Sequence, residues 1–197
     1  MDQIAQVALE KLNEFHYILP QPMPARPQPK AVWKPPPSGI FKLNFDGAVF
    51  KFENKSGVGV AIWECKRQII ASLAQVLPQA YDAMEIEALA ANHALVFGLE
   101  VGISEVVLEG DCQTVMQTLK EGGSNLVSVK PLILDALSQS SSFTKSLYSH
   151  TKRDGNKLAY SLARLSINVD DYVGWMEGVP PPILSIVQVD IAKLSFS

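Results

Sequence analysis

Apolar and polar residues alternate along Lys42–Ala48, with Leu43 and Phe45 on one side and Asn44 and Asp46 on the other. That period of two predicts a strand, with Asp46 at its end beside Gly47. Gly57–Cys65 alternates again and is rich in β-branched residues, and Ile69–Leu77 follows after the short turn Lys66-Arg67-Gln68. Three strands joined this closely predict an antiparallel meander, closed by Pro78. The period then lengthens. Ala83–Glu100, rich in Ala, Leu and Glu, predicts a long helix in which Glu87, Ala91, Ala94 and Gly98 share one face. Such small residues let a helix lie close to a sheet, and Glu87 at the head of the stripe would point towards that sheet. Glu85 instead suits the positive end of the helix dipole.

Gly102 breaks this helix, and Val106–Asp111 reads as a short strand that again ends in a carboxylate. Helices are expected over Cys112–Glu121, stopped by Gly122-Gly123, and over Val129–Gln139, opened by Lys130-Pro131. Ser146–His150 reads as a last strand. A final helix starts at Gly155 or Asn156 and runs to about Ile167, with Leu158, Leu162 and Leu165 inward. This order predicts an α/β fold: a five-stranded mixed sheet, its first three strands antiparallel, flanked by helices. The strand to Asp111 would lie parallel to the first.

The ends read differently. Ile4, Val7, Ala8, Leu12 and Phe15 recur at helical spacing, and prolines at 20, 22, 24, 27, 29 and 35–37 follow. We therefore expect an N-terminal helix over 1–19, a proline-rich linker over 20–38, a domain over 39–168 and a tail over 169–197 that packs on the core or on a partner. The helix and the tail are the candidate surfaces for a protein partner.

Composition narrows the function classes. The chain has 197 residues, 47% of them hydrophobic and 19% charged, and a net charge of −3. No block of Lys or Arg stands out, which argues against strong non-specific binding to nucleic acid. No apolar run is long enough for a bilayer and no signal peptide is evident, so no membrane role is expected. Cys65 and Cys112 lack metal-site spacing, which fits a reducing intracellular compartment, nuclear or cytoplasmic.

The chemistry lies in the carboxylates. If the strands ending at Asp46 and Asp111 are neighbours, the two aspartates meet where open α/β sheets place their sites, and Glu87 joins them from its helix. Three clustered carboxylates repel unless cations are present, and hard oxygen ligands suit Mg²⁺ or Mn²⁺ rather than zinc.

Several stretches together resemble a known family. They are Trp33–Gly39 leading into Lys42–Ala48, Gly57–Ile62, Glu85–Leu95, Val107–Asp111, Ser149–Asn156 followed by Leu162–Leu165, and Trp175–Pro181. In this order and spacing the chain is similar to the plant type of ribonuclease H domain, related to retrotransposon reverse transcriptases. The resemblance implies a ribonuclease H-like fold and hydrolysis of the RNA strand of RNA–DNA hybrids. It implies two metal ions held by Asp46, Glu87 and Asp111, with a metal-activated water as nucleophile. His150 matches a mobile histidine tied to proton transfer or product release, although from its position alone it reads as a surface residue. Gln113 matches a position that contacts the hybrid, and Asn156 is carried over with it as substrate-binding.

The chain departs from the family's pattern four residues after Asn156, where a fourth carboxylate is expected and Tyr160 stands. A neutral phenol is a poor ligand for magnesium. Ala83 and Met84 also replace asparagines that help some members read the hybrid. Two functions stay open: a metal-dependent ribonuclease, weakened at one metal position, or a ribonuclease H-like module that binds nucleic acid or protein without cutting.

Overall fold

A computed structural model describes residues 33–123, 128–185 and 187. The N-terminal helix expected over 1–19, and the linker up to residue 32, lie outside the described residues. Six strands form one sheet: β1 (Phe41–Phe50), β2 (Lys55–Trp63), β3 (Ile69–Leu77), β4 (Glu105–Gly110), β5 (Lys145–His150) and β6 (Tyr172–Met176), in the order β5-β4-β1-β2-β3-β6. β1, β2 and β3 form the antiparallel meander, whereas β4 pairs in parallel with both β1 and β5. The helices are α1 (Ala83–Glu100), α2 (Gln113–Lys120), α3 (Lys130–Ser140) and α4 (Lys157–Leu165).

Two expectations need correction. The sheet has six strands rather than five, because Tyr172–Met176 in the tail pairs antiparallel with Ala71–Gln75. Without it β3 would leave a row of backbone donors and acceptors open at its outer edge. Ser72 Oγ fastens the segment further by donating to the Gly178 carbonyl at 2.7 Å. Nor does β1 end at Asp46. Its ladder with β2 continues from Asp46–Gly59 to Phe50–Lys55, where Ala48 and Phe50 pack against Ala163 of α4.

Both faces of β1 are covered. Leu43 and Phe45 lie in the main core with α1, α2 and α3, as the alternation predicts. On the other face α4 packs down, with Trp33 and Trp63 (ring centroids 4.7 Å apart) beside Leu158 and Leu162. Two glycines set that approach: a Cβ on Gly59 would lie 2.2 Å from the Ala159 carbonyl, and one on Gly57 2.5 Å from that of Ala163. The small-residue stripe of α1 serves the opposite face in the same way. Ala91 and Ala94 are buried, and a Cβ on Gly98 would meet the Leu43 side chain at 2.8 Å. An Asp82–Glu85 capping box starts α1, each side chain accepting from the other residue's backbone N–H.

Candidate active site

Parallel pairing between β1 and β4 stops at Asn44–Glu109. Asp46 stands two residues beyond that pair within β1, and Asp111 two residues beyond it, immediately past the end of β4. Glu87 joins them from the second turn of α1, whose Ile86 packs so tightly on β1 that a Cβ on Gly47 would lie 2.9 Å from its side chain. One carboxylate oxygen from each of Asp46, Glu87 and Asp111 lies within 4.8 Å of the others. The structure thus brings together the three acids that lie far apart along the chain.

Electrostatics makes this arrangement unfavourable on its own. Burial, reinforced by the Asp111 charge, pushes the Asp46 carboxyl up to about 7. Burial and then the charges of Asp46 and Asp111 push Glu87 up to about 9. Glu87 Oε2 is buried and has no hydrogen-bond partner among the described residues. An orphaned acceptor among converging hard oxygens fits a divalent cation and has little other use in a core. A metal ion of that kind would be held by Asp46, Glu87 and Asp111.

The remaining site residues separate into three groups. His150 is exposed at the end of β5, its Nε2 3.1 Å from the Asp111 backbone carbonyl, so it stands on the rim of the cluster. Gln113 is exposed at the start of α2, two residues past Asp111. Asn156, expected to bind substrate, lies inside the protein. Only 1% exposed, it donates through Nδ2 to the Phe45 carbonyl at 2.7 Å and to Asp46 Oδ2 at 3.2 Å, while its Oδ1 accepts from Asn44. Its amide nitrogen is thus committed to Phe45 and Asp46. Tyr160 is 41% exposed, and the Arg153 guanidinium lies 5.9 Å from its ring centroid.

Arg153 was not among the expected site residues. Its Nε donates to Asp111 Oδ2 at 3.1 Å, and its charge opposes the rise in both Asp46 and Glu87. The signal was a basic residue three positions after His150, directly beyond a strand end that adjoins the acids. A polar network behind the site was also missed. Lys42 pairs with Glu109 at 2.9 Å, Asn44 Nδ2 donates to Glu109 Oε1 at 3.1 Å, and Trp33 Nε1 donates to Asn44 Oδ1 at 3.0 Å. Its signal is in the spacing: Asn44 and Glu109 each stand two residues before a site carboxylate, hence on the same side of their strands.

Comparisons with known proteins agree with this geometry. The reverse transcriptase-like family matches residues 44–166, more than half of the chain, and the chain belongs to that family. Among solved structures, ribonuclease H1 of the halophilic archaeon Halobacterium salinarum is 22% identical with a TM-score of 0.61, covering 66% of this chain and 98% of its own. The N-terminal ribonuclease H domain of a Mycobacterium tuberculosis protein is 18% identical with a TM-score of 0.58, covering 66% and 94%. A ribonuclease H1 isolated from compost, crystallised in complex with an RNA/DNA hybrid, is 16% identical with a TM-score of 0.56, covering 65% and 96%. The fold is therefore ribonuclease H-like. No curated protein matches the chain.

Proposed function

We propose that the chain is a divalent-metal-dependent endoribonuclease that hydrolyses the RNA strand of RNA–DNA hybrids. The observation that carries this reading is the convergence of Asp46, Glu87 and Asp111, with Glu87 Oε2 buried and without a partner among the described residues, on a fold shared with ribonucleases H. Magnesium or manganese held there would supply an activated water and offset charge at the phosphate. The chain's own residues do the rest. Asn156 fixes the rotamer of Asp46, and Glu87 is held against the sheet by the packing of α1. His150 would carry a proton between the site and solvent, a role supported by its exposure on the rim beside the Asp111 carbonyl. Gln113 would meet the hybrid, whose 2′-hydroxyls distinguish RNA from DNA, a role supported by its exposure two residues past Asp111.

The test is cleavage of a labelled RNA–DNA hybrid with Mg²⁺ and with Mn²⁺. We expect metal-dependent cleavage by the wild type and a loss of at least about 100-fold in Asp46→Asn. A second reading draws support from Arg153 on Asp111 and from Tyr160 beside it: a module that binds hybrids without cutting them. It predicts an inert wild type that still retains hybrid, with cleavage gained in Tyr160→Asp.

A further inference from the structure

We infer that Arg153 is a resident cation of the carboxylate site, taking the place of one of two divalent ions and leaving a seat for a single ion. This inference rests on the proposed metal-dependent reading and concerns how many ions that site accepts. In the ionised forms that bind metal, the three carboxylates carry three negative charges, and the guanidinium paired with Asp111 at 3.1 Å offsets one of them. One divalent ion balances the remaining two. A second would leave the cluster strongly positive, because the position expected to hold a fourth carboxylate is the neutral phenol of Tyr160, against which Arg153 lies. A guanidinium cannot shed its proton to make way.

An exposed ion pair on its own holds a side chain only weakly, and the Arg153 side chain is 75% exposed. The backbone does the placing. Arg153 begins a tight turn, Arg153–Gly155, closed by Gly155 N–H donating to the Lys152 carbonyl at 2.8 Å. The next residue, Asn156, donates its own N–H to the Arg153 carbonyl and is locked by its side chain to Phe45 and Asp46. The residue that orients Asp46 thus also anchors the turn that delivers the cation. Asp111, the acceptor, has only 6% of its side chain exposed, so the charge lies beside groups shielded from solvent.

The experiment is a Mn²⁺ titration of the metal-free full chain without nucleic acid, followed by calorimetry and by electron paramagnetic resonance to count free ions. Wild type and Arg153→Lys should each bind one ion. Arg153→Gln should bind Mn²⁺ about tenfold more tightly, because a neighbouring positive charge is gone. Arg153→Gln combined with Tyr160→Asp should bind two ions and show the broadened signal of a coupled pair. Two ions in the wild type, or an Arg153→Gln affinity equal to wild type, would overturn the inference. A hybrid-cleavage assay on the same samples separates the two claims. One ion without cleavage sinks the nuclease reading and leaves Arg153 as inferred; cleavage with two ions does the reverse, and absence of any binding removes both.

Discussion

At Asn44, β1 enters a buried polar cluster in which the groups are matched. The Lys42 ammonium meets both Glu109 oxygens and the Lys34 carbonyl, and Asn44 bonds Glu109, Trp33 and Asn156. Two residues further on, at Asp46, the same strand enters a second cluster of three carboxylates, one of whose oxygens has no partner among the described residues. The two clusters share Asn156, and what separates them is charge balance. The first cluster pairs one cation with one anion and fills the remaining valences with amides. It is complete, and its work is to hold β1, β4 and α4 in register. The second is left short of positive charge, and its three acids could hold a divalent cation.

The largest expected effect comes from unbalancing the complete cluster. Lys42→Met would leave Glu109, 5% exposed, as an uncompensated buried charge and should destabilise the fold by about 3–5 kcal/mol in urea denaturation. Adding Glu109→Leu should recover part of that loss, since a pair removed together leaves no orphaned ion. If Lys42→Met is as stable as wild type, the first cluster is not the structural one.

The carboxylate cluster should answer in the opposite direction. Asp46→Asn, measured without metal at pH 8, should stabilise the protein by about 2 kcal/mol, because it removes a charge that burial and Asp111 oppose. Asn retains an oxygen to accept from Asn156, so packing is preserved. A destabilised Asp46→Asn would mean that the three acids are already balanced from within.

A third effect follows from pH. The Asp46 carboxyl is raised from 3.8 to about 7 and that of Glu87 from 4.5 to about 9. In metal-free protein the folded state therefore keeps protons that the unfolded chain has released. That contribution to stability is full below about pH 4 and is lost as pH rises through 7 and then 9. Bound metal needs the ionised forms, so Mg²⁺ or Mn²⁺ should restore stability most at high pH and release protons on binding. Thermal melting with metal and with chelator at pH 5 and pH 8.5 checks both signs. A chelator that lowers the melting temperature equally at both values would count against the cluster as the metal site.

Much of this arrangement was legible from residue order. Alternation in β1 set Leu43 and Phe45 on one side, which the structure turns to the core, and the Glu87–Gly98 stripe put Glu87 rather than Glu85 towards the sheet. A period of two cannot tell a solvated face from a second buried one, however. Lys42, Asn44 and Asp46 lie beneath α4 and Trp33, at 6%, 2% and 1% exposure. The length of β1 was hidden because Val49 and Phe50 precede a polar stretch, while the partners that extend the strand lie in β2 and α4. β6 was hidden for a related reason: five residues with Gly174 at their centre become a strand only because β3 offers an open edge. The roles of Asn156 and Arg153 depend on a turn whose backbone bonds set side-chain direction, which spacing alone does not reveal.

The smallest expected effect tests how far the complete cluster reaches. Trp33 stands at its outer end, its indole N–H donating to Asn44 Oδ1 and its ring packed on Trp63. Trp33→Phe keeps most of the packing and removes one buried hydrogen bond, so stability should fall by about 1–2 kcal/mol. The consequence for the site should be smaller still. Asn44 keeps its bonds to Glu109 and Asn156, and Asn156 keeps its hold on Asp46. Mn²⁺ affinity in Trp33→Phe should therefore stay within about twofold of wild type, while urea denaturation registers the loss. Equal losses in both measurements would mean that the two clusters form one cooperative network through Asn156, with Trp33 a positioning residue for Asp46. Loss of stability alone would mean that Asn156 isolates the site from the scaffold, so that the frustrated cluster can change its ligands without disturbing the one that holds the strands.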